Sequence, residues 1–218
     1  MQPDGDPVTC WTGWDVRGGT AAGPGATEVF AQSAARGLGT DQHYELLAVA
    51  GRGFRPPRFL STARSFAEDR SGHRAQDPDY PGLRQTWSLL YRQMAETGAP
   101  TVAPHAIYLL GVDPPAGASD EELEVFNAFY TDVHLPEVAQ RRHALRATRH
   151  ELVREVRPPY RRAPRFLAVY EMDEDAASQR RHSGPPYATG PEVWQRHTTP
   201  WRLWYRRLVP GNDGAMDR

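Results

Sequence analysis

The sequence predicts an α+β fold made of two tandem copies of one βαββαβ unit, and three observations predict it. The tetrad Pro57-Arg58-Phe59-Leu60 returns as Pro164-Arg165-Phe166-Leu167, and Trp87-Ser88-Leu89-Leu90-Tyr91-Arg92 returns as Trp201-Arg202-Leu203-Trp204-Tyr205-Arg206. The order of smaller marks is also kept: Gly13 with Asp15 matches Gly111 with Asp113, and Glu28-Val29-Phe30 matches Glu124-Val125-Phe126. Short apolar runs bounded by turn residues alternate with helical patterns in the same sequence in both copies. A repeat of about a hundred residues is too long for a solenoid unit and suits a duplicated small domain. The first copy is placed at residues 8–95 and the second at 104–209, with residues 1–7 and 210–218 expected to be mobile tails.

The second copy is the clearer one. Ala106 to Val112 is an apolar run closed by Asp113-Pro114-Pro115, which reads as a strand and a turn. Ser119-Asp120-Glu121-Glu122 reads as a capping box, with early acids that suit the positive end of the helix dipole. The helix is expected to run to about His134, because Pro136 disfavours helical backbone at Leu135, and Pro136-Glu137 can open a further turn. Phe126, Phe129 and Val133 form the apolar stripe expected to hold that helix on its sheet. Strands are expected at Ala144 to Glu155 and Arg165 to Glu171, then an interrupted helical region from Ser178 to Arg196, and a closing strand at Trp201 to Leu208. This order is the split βαβ pattern of a ferredoxin-like unit.

The first copy repeats the parts more weakly. Strands are read at Val8 to Trp14, Tyr44 to Val49, Arg58 to Arg64 and Trp87 to Met94, with a helix from about Thr27 to Arg36 and a linker at Glu96 to Pro100. The helical pattern at Trp87 to Met94 is nearly as good as the strand one, and its repeat partner decides for strand. An antiparallel sheet with helices on one face leaves its other face to be covered. Packing the two sheets on each other solves this, and the interior between them is the expected ligand cavity.

Composition narrows the classes of function. With 218 residues, a net charge of -1 and a pI near 6.7, the chain offers no global argument for nucleic acid or membrane partners. All 26 basic residues are arginine, the side chain best suited to grip carboxylate or phosphate. A single cysteine, Cys10, excludes an internal disulfide and any multi-cysteine metal site, and its place in an apolar run reads as a strand residue. The N-terminal residues lack a charged and apolar leader pattern, and no apolar run approaches the roughly 20 residues needed to span a bilayer, so a cytoplasmic protein is expected.

Chemistry concentrates on the helix of the second copy. Asn127, Tyr130 and His134 stand at spacings of three and four and share one stripe. An imidazole and a phenol so placed can be bridged by one substrate or water, and histidine near its ordinary pKa suits proton transfer. Such pairs also arise from helix packing and from the preference of histidine for the last helical turn. Comparison of the copies favours a site, because Ala31, Ala34 and Leu38 stand opposite Asn127, Tyr130 and His134. His197 and Trp201, beside Trp194 and Trp204, could line a pocket mouth, and Tyr108 and Arg149 complete the expected substrate contacts. Arg149 belongs to a basic stretch from Arg141 to Arg165 that reads either as a solvated face or as a recogniser of an anionic substrate or an acidic carrier protein.

Phe126 to Glu137, ending in His134-Leu135-Pro136, followed by Pro164-Arg165-Phe166-Leu167-Ala168-Val169-Tyr170-Glu171, resembles the EthD-like branch of the dimeric α+β barrel superfamily. The resemblance covers most of residues 104 to 208, and reaches residues 8 to 94 through the internal repeat. It implies one barrel built from two ferredoxin-like units within a single chain. Related barrels include cofactor-free polyketide cyclases, anthrone oxygenases, lactone isomerases and decarboxylases, and also haem proteins. In several such cyclases a helix-borne histidine assisted by tyrosine acts as acid or base, which falls on His134 and Tyr130. The duplication and the insertions at Glu68 to Gly82 and Ser183 to Gly190 depart from the simple pattern.

The resulting expectation is a biosynthetic tailoring enzyme that needs no metal or organic cofactor and carries out cyclisation, dehydration or isomerisation of an apolar, polyketide-like molecule. His134 would move the proton, Tyr130 would donate to an enolate oxygen and Asn127 would orient one of them. The alternatives are an oxygenase of the same barrel, cofactor-free or with haem on His134 or His197, and a non-catalytic binding protein. Either a monomer or a homodimer is compatible with the duplication.

Overall fold

The computed structural model describes residues 7–16, 27, 30, 42–50, 55–66, 83–100, 102–159, 162–178 and 187–208. Eight antiparallel strands form one closed barrel: β1 (Pro7–Val16), β2 (Gln42–Val49), β3 (Phe59–Phe66), β4 (Leu83–Gly98), β5 (Ala106–Asp113), β6 (Arg146–Arg157), β7 (Phe166–Met172) and β8 (Thr198–Arg207). Their order around the barrel is β1-β3-β2-β8-β5-β7-β6-β4, with β4 returning to β1. Each half contributes the same four-strand order, β4-β1-β3-β2 and β8-β5-β7-β6, and the halves join along β2 with β8 and along β4 with β6.

The repeated residues do the same work in both halves. Gly13 stands opposite Trp87 and Leu60, as Gly111 stands opposite Trp201 and Leu167. The Asp15 carboxylate accepts the Arg58 backbone N–H at 3.0 Å, and Asp113 accepts that of Arg165 at 2.6 Å. Phe30 stacks on Phe59 and Phe126 on Phe166. Two buried hydroxyls cross between halves: Tyr91 donates to the Pro164 carbonyl at 2.8 Å and Tyr205 to the Pro57 carbonyl at 2.9 Å. A sealed carbonyl left without such a donor costs about 1–3 kcal/mol, so these bonds hold the halves in register.

Both glycines are needed for close packing. A Cβ on Gly111 would lie 2.6 Å from Pro164 Cγ and 2.9 Å from Trp201 Cβ. Gly111→Ala is therefore expected to destabilise the fold by about 1–3 kcal/mol and lower the melting temperature by several degrees. An unchanged melting curve would show that Pro164 and Trp201 can move aside.

The barrel interior is filled, which corrects the expected cavity between the sheets. Trp87 and Trp201 meet there with ring centroids 5.5 Å apart, surrounded by Trp11, Tyr91, Leu109 and Tyr205. An eight-stranded barrel is just wide enough for its own side chains, so large aromatics leave no room for a ligand. The expected linker is also corrected, because Glu96, Thr97 and Gly98 continue β4 and pair with Thr148, Ala147 and Arg146 of β6.

Outside the second half's sheet lie α1 (Asp120–Phe129), a π-turn (Tyr130–His134), α2 (Leu135–Arg141), α3 (Glu174–Ser178) and α4 (Glu192–Gln195). The capping box forms as expected: Ser119 Oγ accepts the Glu122 N–H at 3.2 Å, and Glu122 accepts the Ser119 N–H at 3.0 Å. The helical path does not stop at His134. Leu135 is helical and its N–H reaches back to the Tyr130 carbonyl, so the wider turn accommodates Pro136 at the start of α2. The extra residue rotates the buried stripe to Phe126, Tyr130, His134, Leu135 and Val138, while Val133, expected to face the sheet, is 42% exposed. The first-half helix and the alignment partners Ala31, Ala34 and Leu38 lie outside the described residues, although Thr27 and Phe30 within that stretch are helical. The tails at residues 1–6 and 209–218 and the insertions at 68–82 and 183–186 are outside them as well. No helix among the described residues is long and apolar enough to cross a membrane.

Candidate active site

A cavity of about 270 Å³ lies outside the barrel, between the second half's sheet and its helices. Strand alternation builds its floor. In β5 and β8 the side chains of Ile107, Leu109, Trp201, Leu203 and Tyr205 fill the barrel, so Tyr108, Leu110 and Arg202 point the other way. The π-turn brings His134 to the wall, α2 adds Val138, and Arg142 joins them from the C-cap of that helix. The far side is Tyr187, Trp194 and His197, held by a bend at Gly190, where φ is +71° and a side chain would strike Phe129 and Trp194. Glu137 ties this side to α2: it accepts the Ala188 N–H at 3.1 Å and the Arg141 guanidinium at 2.6 Å.

His134 is 7% exposed and packs against Trp194 and Tyr187, with ring centroids at 4.6 and 5.4 Å. Its Nδ1 is sealed from solvent with no hydrogen-bond partner among the described residues, which leaves Nε2 as the nitrogen able to meet a ligand. Burial pushes its pKa down to about 4, the opposing pull of Glu137 being smaller. The imidazole is thus neutral at pH 7, a correction to the expected titration near neutrality. Tyr108 on the floor is held protonated, because burial raises its pKa more than Arg142 and Arg202 lower it. His197 stacks on Trp194 at 4.3 Å, and its Nδ1 lies within hydrogen-bond distance of the Trp194 carbonyl.

The structure therefore brings together His134, Tyr108 and His197 and separates the other expected site residues from them. Tyr130 is completely buried between helix and sheet, its ring 5.9 Å from that of His134, and its hydroxyl has no partner among the described residues. It does not line the cavity. Asn127 orients neither Tyr130 nor His134; its side-chain and backbone oxygens accept from Arg149. Arg149 is 0% exposed, donates also to Thr131 at 2.9 Å, and lies between the rings of Tyr130 and Phe166 at 4.5 and 4.3 Å. This buried cation pins β6 to α1 instead of touching substrate. Trp201 is inside the barrel.

Among the lining residues that sequence reasoning did not assign to the cavity are Tyr187, Arg142 and Arg202. Arg202 carried a usable signal, since it alternates with Trp201 and so shares a face with Trp204, which stacks on Tyr108 at 4.5 Å. The rest of the basic stretch is largely occupied. Arg141, Arg146 and Arg165 form ion pairs with Glu137, Glu171 and Glu151, which weakens its reading as a docking face for an acidic carrier.

Haem can be tested against these residues. The cavity is at the small end of the range of about 300–1,000 Å³ for ligand sites, and both candidate axial imidazoles pack against Trp194. No group of three or more metal-ligating side chains occurs among the described residues.

No protein-family model matches this chain, and no curated protein matches it. Solved structures do. The chain is similar to a candidate chlorite dismutase at 9% identity and a TM-score of 0.53, with 94% of this chain and 96% of that one covered. It is likewise similar to a chlorite dismutase variant from Candidatus Nitrospira defluvii solved with cyanide, at 10% identity and a TM-score of 0.51, covering 93% and 91%. At this identity the likeness shows the fold alone, an α+β fold with an antiparallel eight-stranded barrel.

Proposed function

We propose that the protein is an enzyme that acts on a small aromatic or polyketide-like molecule by proton transfer, in a cyclisation, dehydration or isomerisation, with no haem or metal. The observation that carries this reading is His134: a neutral imidazole with an orphaned Nδ1, set in the wall of an aromatic cavity. With Nδ1 sealed away from the cavity, Nε2 is the ring nitrogen left to meet a ligand, and a histidine whose pKa burial has shifted at a cavity wall is a functional-site candidate. Nε2 takes the proton from an acidic C–H or O–H of the bound substrate. The Tyr108 phenol, protonated through burial, donates to the oxygen on which negative charge develops. The surrounding rings exclude water, which strengthens both interactions.

This assigns to Tyr108 the donor role expected of Tyr130. It also fits the narrower resemblance to EthD-like and polyketide cyclase-like barrels, in which a helix-borne histidine has this task. The test is turnover of a panel of aromatic and polyketide-like ketones with and without oxygen. Equal rates under air and nitrogen are expected, with solvent deuterium appearing in the product. A strict need for oxygen would replace this reading with a cofactor-free oxygenase, and tight binding without any product would replace it with a carrier or chaperone role.

A further inference from the structure

Arg142 and Arg202 open on the same cavity, and neither has an acidic partner among the described residues. This sets them apart from Arg141, Arg146, Arg165 and Arg206, each of which meets a glutamate. Arg142, at the end of α2, lies over the rings of Tyr108 and Trp204, with its Cζ 4.5 and 5.5 Å from their centroids. Its Nε is sealed from solvent without a hydrogen-bond partner among the described residues. Arg202 reaches the cavity from β8, opposite Leu110 of β5. No aspartate or glutamate among the described residues lines the cavity, and Glu137, whose charge acts on His134, is engaged by Arg141 and the Ala188 N–H.

Two guanidinium groups therefore line one aromatic-walled space that receives no acidic side chain from the described residues. Arg142 is half-buried and Arg202 exposed, both line this cavity, and a planar fork of N–H donors matches a carboxylate. We propose that the ligand of this cavity is an aromatic carboxylate, its ring against Tyr108 and Trp194 and its carboxylate between Arg142 and Arg202. The inference rests on reading the cavity as the substrate site and adds the charge and the anchoring group of that substrate. The carboxylate end would fix which substrate atom faces His134 Nε2.

The test compares 2-naphthoate with its neutral counterpart 2-naphthamide, binding being followed on the full chain at pH 7 by calorimetry. The acid is expected to bind about tenfold to a hundredfold more tightly than the amide, and Arg142→Met and Arg202→Met are each expected to erase most of that difference. Arg202 is exposed, so its substitution keeps the test readable even if Arg142→Met fails to fold. Equal affinities for acid and amide, no saturable binding of the acid, or a preference that survives in Arg202→Met and in the double variant would overturn the proposal. The measurement involves no turnover, and His134→Ala should keep the preference for the acid. Failure of the anion site and failure of the proton-transfer reading are thus separately visible.

Discussion

Replacing His134 with alanine is expected to lower turnover by about 10²- to 10⁴-fold while leaving the protein folded. The size follows from the role. A positioned base contributes about that factor, and His197, the other imidazole on the cavity, has its Nδ1 against the Trp194 carbonyl. The fold survives because the His134 side chain makes no hydrogen bond among the described residues that its removal would break, and what is lost is its ring packing against Phe129, Tyr130, Trp194 and Tyr187. The pH profile gives an independent check. An imidazole whose pKa burial has lowered to about 4 is ready to accept a proton throughout the neutral range, so kcat/KM should be flat from about pH 7 down to pH 5 and fall through about pH 4. Steady-state kinetics of the wild type and variant, with circular dichroism as the folding control, decide the matter. Unimpaired turnover in His134→Ala would remove this residue from the mechanism.

Acidification is expected to destabilise the fold steeply between pH 6.5 and about 4. His43, His134 and His150 are all buried, and burial lowers each pKa from 6.5 to about 4. In that window the unfolded chain holds protons that the folded chain does not. Stability is therefore complete above pH 6.5, and it is lost as the pH falls toward the folded-state pKa values. Each histidine contributes a slope approaching about 1.4 kcal/mol per pH unit, so the three together give on the order of 4 kcal/mol per unit at the steepest point. Their places explain why all three resist charging. His43 packs edge-on against Phe30, His150 faces Trp11 with its Nδ1 unpartnered among the described residues, and His134 sits among aromatic rings. Urea unfolding at several pH values measures the slope directly. A curve that stays level from pH 6.5 to 4.5 would mean that these imidazoles are hydrated in the folded protein.

Much of the architecture could be read before any coordinates. The Pro-Arg-Phe-Leu tetrads, the Gly and Asp marks and the Trp strands predicted two copies of one unit, and in the barrel each pair occupies equivalent ladder positions. The capping box at Ser119 depends only on local chain geometry, and it formed as expected. His134 was also legible, because a His-Leu-Pro ending on an amphipathic helix is a local pattern. Its partners were not. Regular helical spacing joined Asn127, Tyr130 and His134 in one stripe, whereas the π-turn inserts one residue and changes which groups reach the sheet, leaving Tyr130 sealed and His134 on the cavity.

Sequence by itself determined the duplication, the strand order within each half and the helix that carries the histidine, because these follow from repeats, periodicity and caps along a short stretch of chain. Only the tertiary structure decided that the barrel interior is solid and that the cavity lies outside it. Alternation along β5 and β8 shows which residues share a face, and it is silent about which face turns inward. Closing eight strands settles that question: the interior is so narrow that Trp87, Trp201, Tyr91 and Tyr205 fill it, and Tyr108 and Arg202 are left on the outer face, where Arg142 and His134 come down to meet them.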